Sequence, residues 1–265
     1  MPRTLLEEVT QNLREKVLSG TYEPGLKLRE VALAEDLNAS RTVIRLALGA
    51  IAQEGLVEGQ PNRGFSVRAF TIDEVADAIE VRGNLEGMGA RLAAERGLSD
   101  AHAAILRDIL ARMDALMLNG FSALASRTEW IELNSDLHDT IIAASGSSTL
   151  KPLIEHLSRI PLVSSRALVF DTIDTDRSIR QIRASHDDHH AVVEAILSRQ
   201  GTRAECIMRE HALRSCRNKR GSFEAMQTSH LQPEIPGIAL VRVPSAKYNA
   251  SRQVTKARGS SRFSV

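Results

Sequence analysis

The sequence predicts a mainly α-helical protein in which a small N-terminal domain precedes an all-helical one. Aromatic residues make up only 3% of the 265 residues, whereas β-sheet proteins favour Tyr, Phe and Trp. Alanine, leucine, arginine and glutamate dominate instead, and these residues favour helices. The length suits two domains, since single domains average roughly 100–200 residues. A hydrophobic content of 43% can supply a core to each.

Residues 4–70 predict three short helices followed by a β-hairpin. Apolar residues at helical spacing predict a first helix that ends at Ser19-Gly20, and a short second helix fits 30–37. Ser40 is suited to cap a third helix over roughly 41–54. The segment after that helix has Gly and Pro in its middle and β-type residues on both sides, which predicts a hairpin.

The second and third helices have the layout of a helix-turn-helix, a motif that binds DNA. The turn between them needs a residue at positive φ, a conformation that Asn38 tolerates. Arg41 and Arg45 are four residues apart and project from the exposed face of the third helix, where an arginine can pair with a guanine in the major groove. Two isolated arginines would more simply be solvated, but the turn and the hairpin favour DNA contact.

Smaller side chains complete the predicted contact surface. Ser40 and Thr42 can donate hydrogen bonds to phosphate oxygens. Arg63 and Gly64 lie at the tip of the hairpin, where a wing could reach the minor groove or a phosphate. We therefore expect a winged helix-turn-helix domain over residues 4–70 that binds double-stranded DNA.

Residues 72–219 predict a helical bundle without strands. Six helices follow from the apolar spacing, over 73–97, 99–118, 121–144, 149–169, 179–199 and 202–219. Pro161 is expected to kink the fourth of them, because proline removes a helical hydrogen bond. Residues 221–265 are rich in serine and carry a single apolar patch at 238–243, which predicts a basic, flexible tail with one strand-like segment.

Composition excludes several classes of protein. No stretch approaches the ~18 consecutive apolar residues of a membrane span, and the first residues lack the apolar core of an export signal. The two cysteines exclude a disulfide scaffold. We therefore expect a cytoplasmic protein without membrane contact. The net charge of +1 hides an acidic centre and a basic C-terminus, so it does not itself indicate nucleic-acid binding.

The N-terminal part resembles the winged-helix domain of GntR-type bacterial transcription regulators. That family runs from a Pro-Gly turn through a Leu-Ala helix and an SRT recognition helix to an EGLV segment and an Arg-Gly wing. Val43 and Leu46 depart from its usual Pro and Glu, and Asn38 replaces its usual Gly. The matching residues are Pro24-Gly25, Leu33-Ala34, Ser40-Arg41-Thr42, Arg45, Ala47-Leu48, Glu54-Gly55-Leu56-Val57 and Arg63-Gly64.

The helical part resembles the FCD effector domain of the FadR-type branch of that family. The resemblance lies in IEVRGNLEGMGARLAAE, SDLHDTIIAASGSSTL, DDHHAVVEAI and MREHAL, and with the winged helix it covers about residues 5–219. It implies a regulator that responds to a small organic acid effector. It also implies a divalent metal of the Zn, Ni or Mn type, held by Asn134, His138, His189 and His211.

The residue pattern supports such a metal site independently. Asn134 and His138 share one helical face, while His189 and His211 lie on apolar stripes of their own helices. Three imidazoles and one oxygen suit a divalent transition metal and leave coordination positions for water or a carboxylate. The alternative is that each histidine is a hydrogen-bonded core residue. His186 and His190 are close enough in sequence to compete for the assignment.

Arg82 is a charged residue between Ile79 and Leu85 on an otherwise apolar stripe. A buried guanidinium needs an anion, because an unpaired buried charge is costly. That anion is either Glu86, one turn further on, or the carboxylate of an effector, which a guanidinium can hold with two hydrogen bonds.

Together these features predict a DNA-binding transcription regulator that acts as a homodimer on a two-fold symmetric operator. One alternative is a metal-dependent helical-bundle enzyme with a DNA-binding appendage, since an open three-histidine site can activate water. The other is a purely metal-responsive regulator. The sequence contains no evident nucleophile–base pair and no Gly-rich phosphate loop, so we expect no enzyme activity.

Overall fold

A computed structural model describes residues 3–60, 64–121, 124–167, 175–229 and 237–242. Within these ranges the chain forms an N-terminal domain of helices with a small sheet, followed by a helical bundle. None of the described helices combines the length and the apolar character that a membrane span requires. The structure is mainly α-helical, as the sequence predicts.

The N-terminal domain packs three helices against a small antiparallel sheet. The pattern of exposed and buried residues that predicts the helices is confirmed, because one face of each lies in a shared core. Strand β3 lies between β1 and β2, and the β2–β3 pair is the predicted hairpin. Only β1 was not predicted. The elements are α1 Leu5–Leu18, β1 Lys27–Leu28, α2 Glu30–Asp36, α3 Arg41–Gln53, β2 Val57–Gln60 and β3 Gly64–Val67.

The helical bundle follows directly from this domain through a short strand. Thr71 caps the first bundle helix, and its hydroxyl and the Glu74 side chain satisfy each other's backbone N–H groups. At Gly83 that helix lies so close to the last one that an added Cβ would be 2.3 Å from the Ala212 Cβ. The elements are β4 Phe70–Thr71, α4 Ile72–Arg96, α5 Asp100–Asn119, α6 Leu124–Ala144, α7 Leu150–Leu157, α8 Thr175–Leu197 and α9 Gly201–Ser229.

Helix α7 is much shorter than predicted. The sequence predicts a kinked helix over 149–169, but the helix ends at Leu157 and turns follow. Pro161 lacks the N–H that would continue the helix, and Leu162 has a φ of 66° that a helix cannot contain. The prediction of a kink was therefore wrong, and the chain leaves the helix before the proline.

The C-terminal part corrects the prediction of a flexible tail over 221–265. Helix α9 continues to Ser229, with Phe223 buried in the N-terminal core. Residues 237–242, which we call the C-terminal strap, form a 3-10 turn at Ile238–Leu240 and strand β5 at Val241–Arg242. Strand β5 pairs parallel with β4. The remainder of the predicted tail, 230–236 and 243–265, lies outside the described residues.

Candidate functional site

The helix-turn-helix geometry is formed by α2, the turn after it and α3. Asn38 has a φ of 47°, as the turn was predicted to require. The Ser40 hydroxyl accepts a hydrogen bond of 3.3 Å from the Val43 N–H and thereby caps α3. Three aliphatic side chains anchor the inner face of α3 in the core, which leaves the opposite face in solvent: Ile44, Leu48 and Ile51.

The exposed face of α3 carries the two predicted DNA-contacting arginines, and Glu30 of α2 holds one of them. Arg45 donates from Nε and Nη2 to the two carboxylate oxygens of Glu30, at 2.9 and 2.7 Å. Arg41 Nη2 lies 4.0 Å from the same carboxylate. The guanidinium lowers the pKa of Glu30, and the carboxylate raises the pKa of Arg45. Sequence reasoning missed Glu30, because its partner lies fifteen residues away.

Of the other residues predicted to contact DNA, the structure describes Thr42 and Gly64 but not Arg63. Thr42 is exposed on the first turn of α3. Gly64 begins β3 with a φ of 77°, which supports its position at the hairpin tip. Arg63 lies outside the described residues. The contribution of all these side chains to DNA binding remains a prediction.

The interior of the bundle brings together the three predicted histidines from three helices. His138 of α6, His189 of α8 and His211 of α9 are buried, and one potential ligand atom of each lies within 4.8 Å of the others. Asn134 is also buried, one turn before His138. Its amide nitrogen donates to the Ser165 carbonyl at 2.8 Å, so its oxygen is the atom that could ligate a metal.

Two carboxylates lie beside two of these rings, although neither ring Nδ1 has a hydrogen-bond partner among the described residues. Glu86 Oε1 lies 3.2 Å from His138 Nδ1, and Asp188 Oδ2 lies 3.4 Å from His211 Nδ1. A carboxylate near Nδ1 is a common neighbour of a metal-bound histidine, in which Nε2 is then the ligand atom. Neither Glu86 nor Asp188 was predicted in this role, since nothing in the local sequence relates them to the rings.

The surroundings of the His189 ring are the strongest indication of a metal site. Neither ring nitrogen of His189 has a hydrogen-bond partner among the described residues, although the side chain is buried. An unpaired buried polar group costs about 1–3 kcal/mol. Burial, together with the neighbouring histidines, holds the pKa of His189 well below its ordinary value, so the ring is neutral and can donate a lone pair. The histidines therefore fit a divalent metal better than they fit a hydrogen-bonded core.

Arg82 joins this cluster through Glu86. Its Nε lies 3.6 Å from Glu86 Oε1, the oxygen that also contacts His138, so the predicted pairing with Glu86 is present. Burial alone would raise the pKa of Glu86, but Arg82 and His138 lower it to about 2. Arg82 Nε and Nη1 nevertheless have no hydrogen-bond partner among the described residues. The guanidinium therefore keeps donors for a second anion.

Two clefts reach residues of the cluster. The larger, about 370 Å³, lies against α6 and α7 and is lined by Glu86 and His138, with both basic and acidic side chains around them. The smaller is lined by His211 and Lys219, together with Trp130. Lys219 is buried and donates to the Leu162 carbonyl at 2.6 Å, and burial lowers its pKa to about 7. Sequence reasoning did not identify Lys219.

His186 and His190 lie outside the interior cluster. Both contact Asp114 of α5 through Nε2, at 2.7 and 2.9 Å. They therefore do not compete with His189 for the interior assignment, and they form a separate group at the surface of the bundle.

Comparison with known proteins agrees with both halves of this structure. Residues 5–67 match the family described as "Bacterial regulatory proteins, gntR family", and residues 77–214 match the FCD domain. The chain is 28% identical over 146 residues to the HTH-type transcriptional regulator YdhC of Bacillus subtilis, covering 55% of this chain and 63% of that one. It is also 28% identical over 205 residues to the transcriptional repressor GlaR of Escherichia coli, covering 76% and 89%.

A solved structure shares the fold. E. coli McbR/YncC superimposes with a TM-score of 0.56 at 20% identity, covering 84% of this chain and 99% of that one. The names of the two sequence relatives describe transcription regulators. The match to the FCD domain covers half of the chain, and the gntR match accounts for the helix-turn-helix and wing that precede it. The chain therefore belongs to the GntR family, as a DNA-binding transcription regulator with an FCD domain.

Proposed function

We propose that a small organic acid controls the operator affinity of this regulator, and that a divalent metal in the bundle helps to hold the acid. The observation that carries the proposal is the buried His189 ring, since neither of its nitrogens has a hydrogen-bond partner among the described residues. Arg82, which contacts Glu86 beside His138, also has donors without a partner there.

His138, His189 and His211 would hold the metal. The amide oxygen of the buried Asn134, one turn before His138, would be the fourth ligand. When bound, the metal supplies a positive charge with open coordination positions for a carboxylate.

The protein's own residues would position the acid. Arg82 offers Nε and Nη1 to a carboxylate, and Glu86 holds the guanidinium beside His138. The cleft of about 370 Å³ beside His138 is large enough for a small ligand. Burial of the site strengthens these charge interactions, because little water remains to screen them.

Helix α4 provides a route from the acid to the DNA-binding domain. Arg82 lies on this helix, and the first turns of the same helix pack in the N-terminal core, at Ile72, Val75, Ala78 and Ile79. A ligand that prefers one position of α4 would shift the population of domain arrangements by as much as that preference. In a cytoplasmic homodimer, such a shift would change the spacing of two recognition helices on a two-fold operator.

A ligand screen tests this proposal. Zinc-loaded protein is heated with small mono- and dicarboxylic acids, and a bound acid raises the melting temperature. Arg82→Gln should keep the bound metal and lose most of the rise in melting temperature that the acid causes. Arg112→Gln changes an exposed arginine of α5 and should behave as the wild type. If Arg82→Gln retains the full response to the acid, Arg82 does not clamp it. If metal alone changes operator affinity and no acid binds, the protein is a metal-responsive regulator.

A further inference from the structure

Asp114, His186 and His190 form a second cluster of potential metal ligands between α5 and α8. Asp114 Oδ1 lies 2.7 Å from His186 Nε2 and 2.9 Å from His190 Nε2, and the two ring nitrogens are 3.2 Å apart. Three ligand atoms of different side chains therefore point at one small volume. The ligand atoms of this cluster form a different group from those of the three interior histidines, and the ring centroids of His186 and His189 are 6.4 Å apart.

The arrangement has the chemistry of a zinc site. His186 and His190 are four residues apart on α8, so they share one helical face, as in helical zinc-binding motifs. In tetrahedral zinc centres with bonds of about 2.0–2.1 Å, ligand atoms lie about 3.3 Å from one another. The observed separations of 2.7, 2.9 and 3.2 Å would need to widen by about 0.1–0.6 Å to reach that geometry. Two imidazoles and a carboxylate are ligands that zinc prefers.

The surroundings make the group rigid on one side and accessible on the other. The His186 ring is buried edge-on against Trp130, with ring centroids 5.4 Å apart. Its Nδ1 has no hydrogen-bond partner among the described residues, so Nε2 is the nitrogen that carries its interactions. The side chains of His190 and Asp114 are 46% and 50% exposed, so a cation and a water ligand can reach them.

We propose that Asp114, His186 and His190 bind a zinc-type divalent cation that links α5 to α8. This site differs from the interior three-histidine site, and it does not depend on the organic acid. Because α8 also carries His189, a cation at this position fixes the helix that supplies one interior ligand. Zinc therefore stabilises the bundle through a surface link whether or not the interior site is filled.

The test is a zinc titration of the metal-free full-length chain against a competing chelator. The wild type should take up two equivalents, and His190→Ala should take up one fewer. Asp114→Asn, on the opposite helix, should weaken the same equivalent by at least about tenfold, since even partners behind the ligands change metal affinity by 10–100-fold. His156→Ala removes an exposed histidine of α7 and should match the wild type.

The results of the zinc titration distinguish binding at this surface site from binding at the interior three-histidine site. If the interior histidines bind no metal, the wild type takes up one equivalent and His190→Ala none, which still supports the surface site. If His190→Ala or Asp114→Asn binds zinc with the stoichiometry and affinity of the wild type, the proposal is overturned. In a His189→Ala background, zinc should still raise the melting temperature, and adding His190→Ala should abolish that rise.

Discussion

At the residue scale, the functional side chains are positioned by partners that are distant in sequence. The histidines, Asn38 and the recognition-helix arginines could be predicted because their spacing or local turn has a characteristic pattern. The carboxylate partners of these side chains could not be predicted, because no local sequence pattern relates Glu86 to His138 or Asp114 to His186. Local sequence patterns therefore indicate the candidate functional side chains. Which carboxylates lie beside them depends on tertiary packing.

Arg45 tests the recognition surface at this scale. Arg45→Ala should weaken operator binding by about 1–3 kcal/mol per half-site and relax base preference, if the guanidinium leaves Glu30 to pair with a guanine. The measurement is a binding titration and footprint on an operator selected from random DNA. Arg112→Ala, in the other domain, is the matched control. Unchanged affinity and an unchanged footprint would show that Arg45 is only a solvated partner of Glu30.

Lys219 gives a pH-dependent prediction. Burial lowers its pKa from 10.5 to about 7, so between these pH values the unfolded chain binds more protons than the folded one. The contribution of Lys219 to the free energy of unfolding should therefore increase as the pH rises through that window. The gain is lost again as the pH falls towards 7. Lys219→Met should remove this part of the rise. Melting temperatures from pH 7 to 10.5 measure the difference, and parallel curves for the two proteins would contradict the prediction.

At the element scale, helices with strong periodicity were predicted well and weakly patterned segments were not. Helix α4 was expected over 73–97 and forms at Ile72–Arg96, because its caps and apolar spacing agree. Helix α7 ends at Leu157, and neither Pro161, which lacks an N–H, nor the left-handed Leu162 could continue the predicted helix to 169. The extended end of α9 was not predicted, and the C-terminal strap was predicted only as a strand-like segment at 238–243. The few apolar residues of these segments become buried only against the N-terminal core.

The C-terminal strap should contribute to the stability of the whole N-terminal half. Gly237 donates its N–H to the Leu18 carbonyl at 2.9 Å, and Leu240 is completely buried in the core that α1 shares. Leu240→Ala should lower the free energy of unfolding by about 2–5 kcal/mol. Leu118→Ala, at a side chain that is 88% exposed, should change it by less than about 0.5 kcal/mol. Equal denaturation curves for the two variants would show that the strap does not hold the domain.

At the scale of the whole molecule, α4 connects the DNA-binding domain with the proposed effector site. It starts in the core of the DNA-binding domain, carries Arg82 in its middle and packs along α9, which carries His211. The order of the two domains and the positions of the histidines were predictable, because each has a sequence pattern. The way in which α4 and the C-terminal strap join the domains was not, since it depends on contacts across the full length of the chain.

Dimerisation is the first prediction at this scale. A single winged-helix module buries only about 600–1,000 Å² on DNA, so we expect two chains on a two-fold operator. The two half-sites should lie one helical turn, about 10 base pairs, or a multiple of it apart. Native mass spectrometry of the complex should show two chains per operator. A single chain that binds one isolated half-site with full affinity would contradict this expectation.

The central claim is that metal and acid act together on DNA affinity, and His189 tests it most directly. The operator dissociation constant is measured for zinc-loaded wild type and for His189→Ala, with and without the acid found by the ligand screen. The acid should change the operator dissociation constant of the wild type by about 5–150-fold, a usual range for coupled sites. His189→Ala should bind the operator as the acid-free wild type does and show no response. A normal acid response in His189→Ala would contradict the metal-centred account.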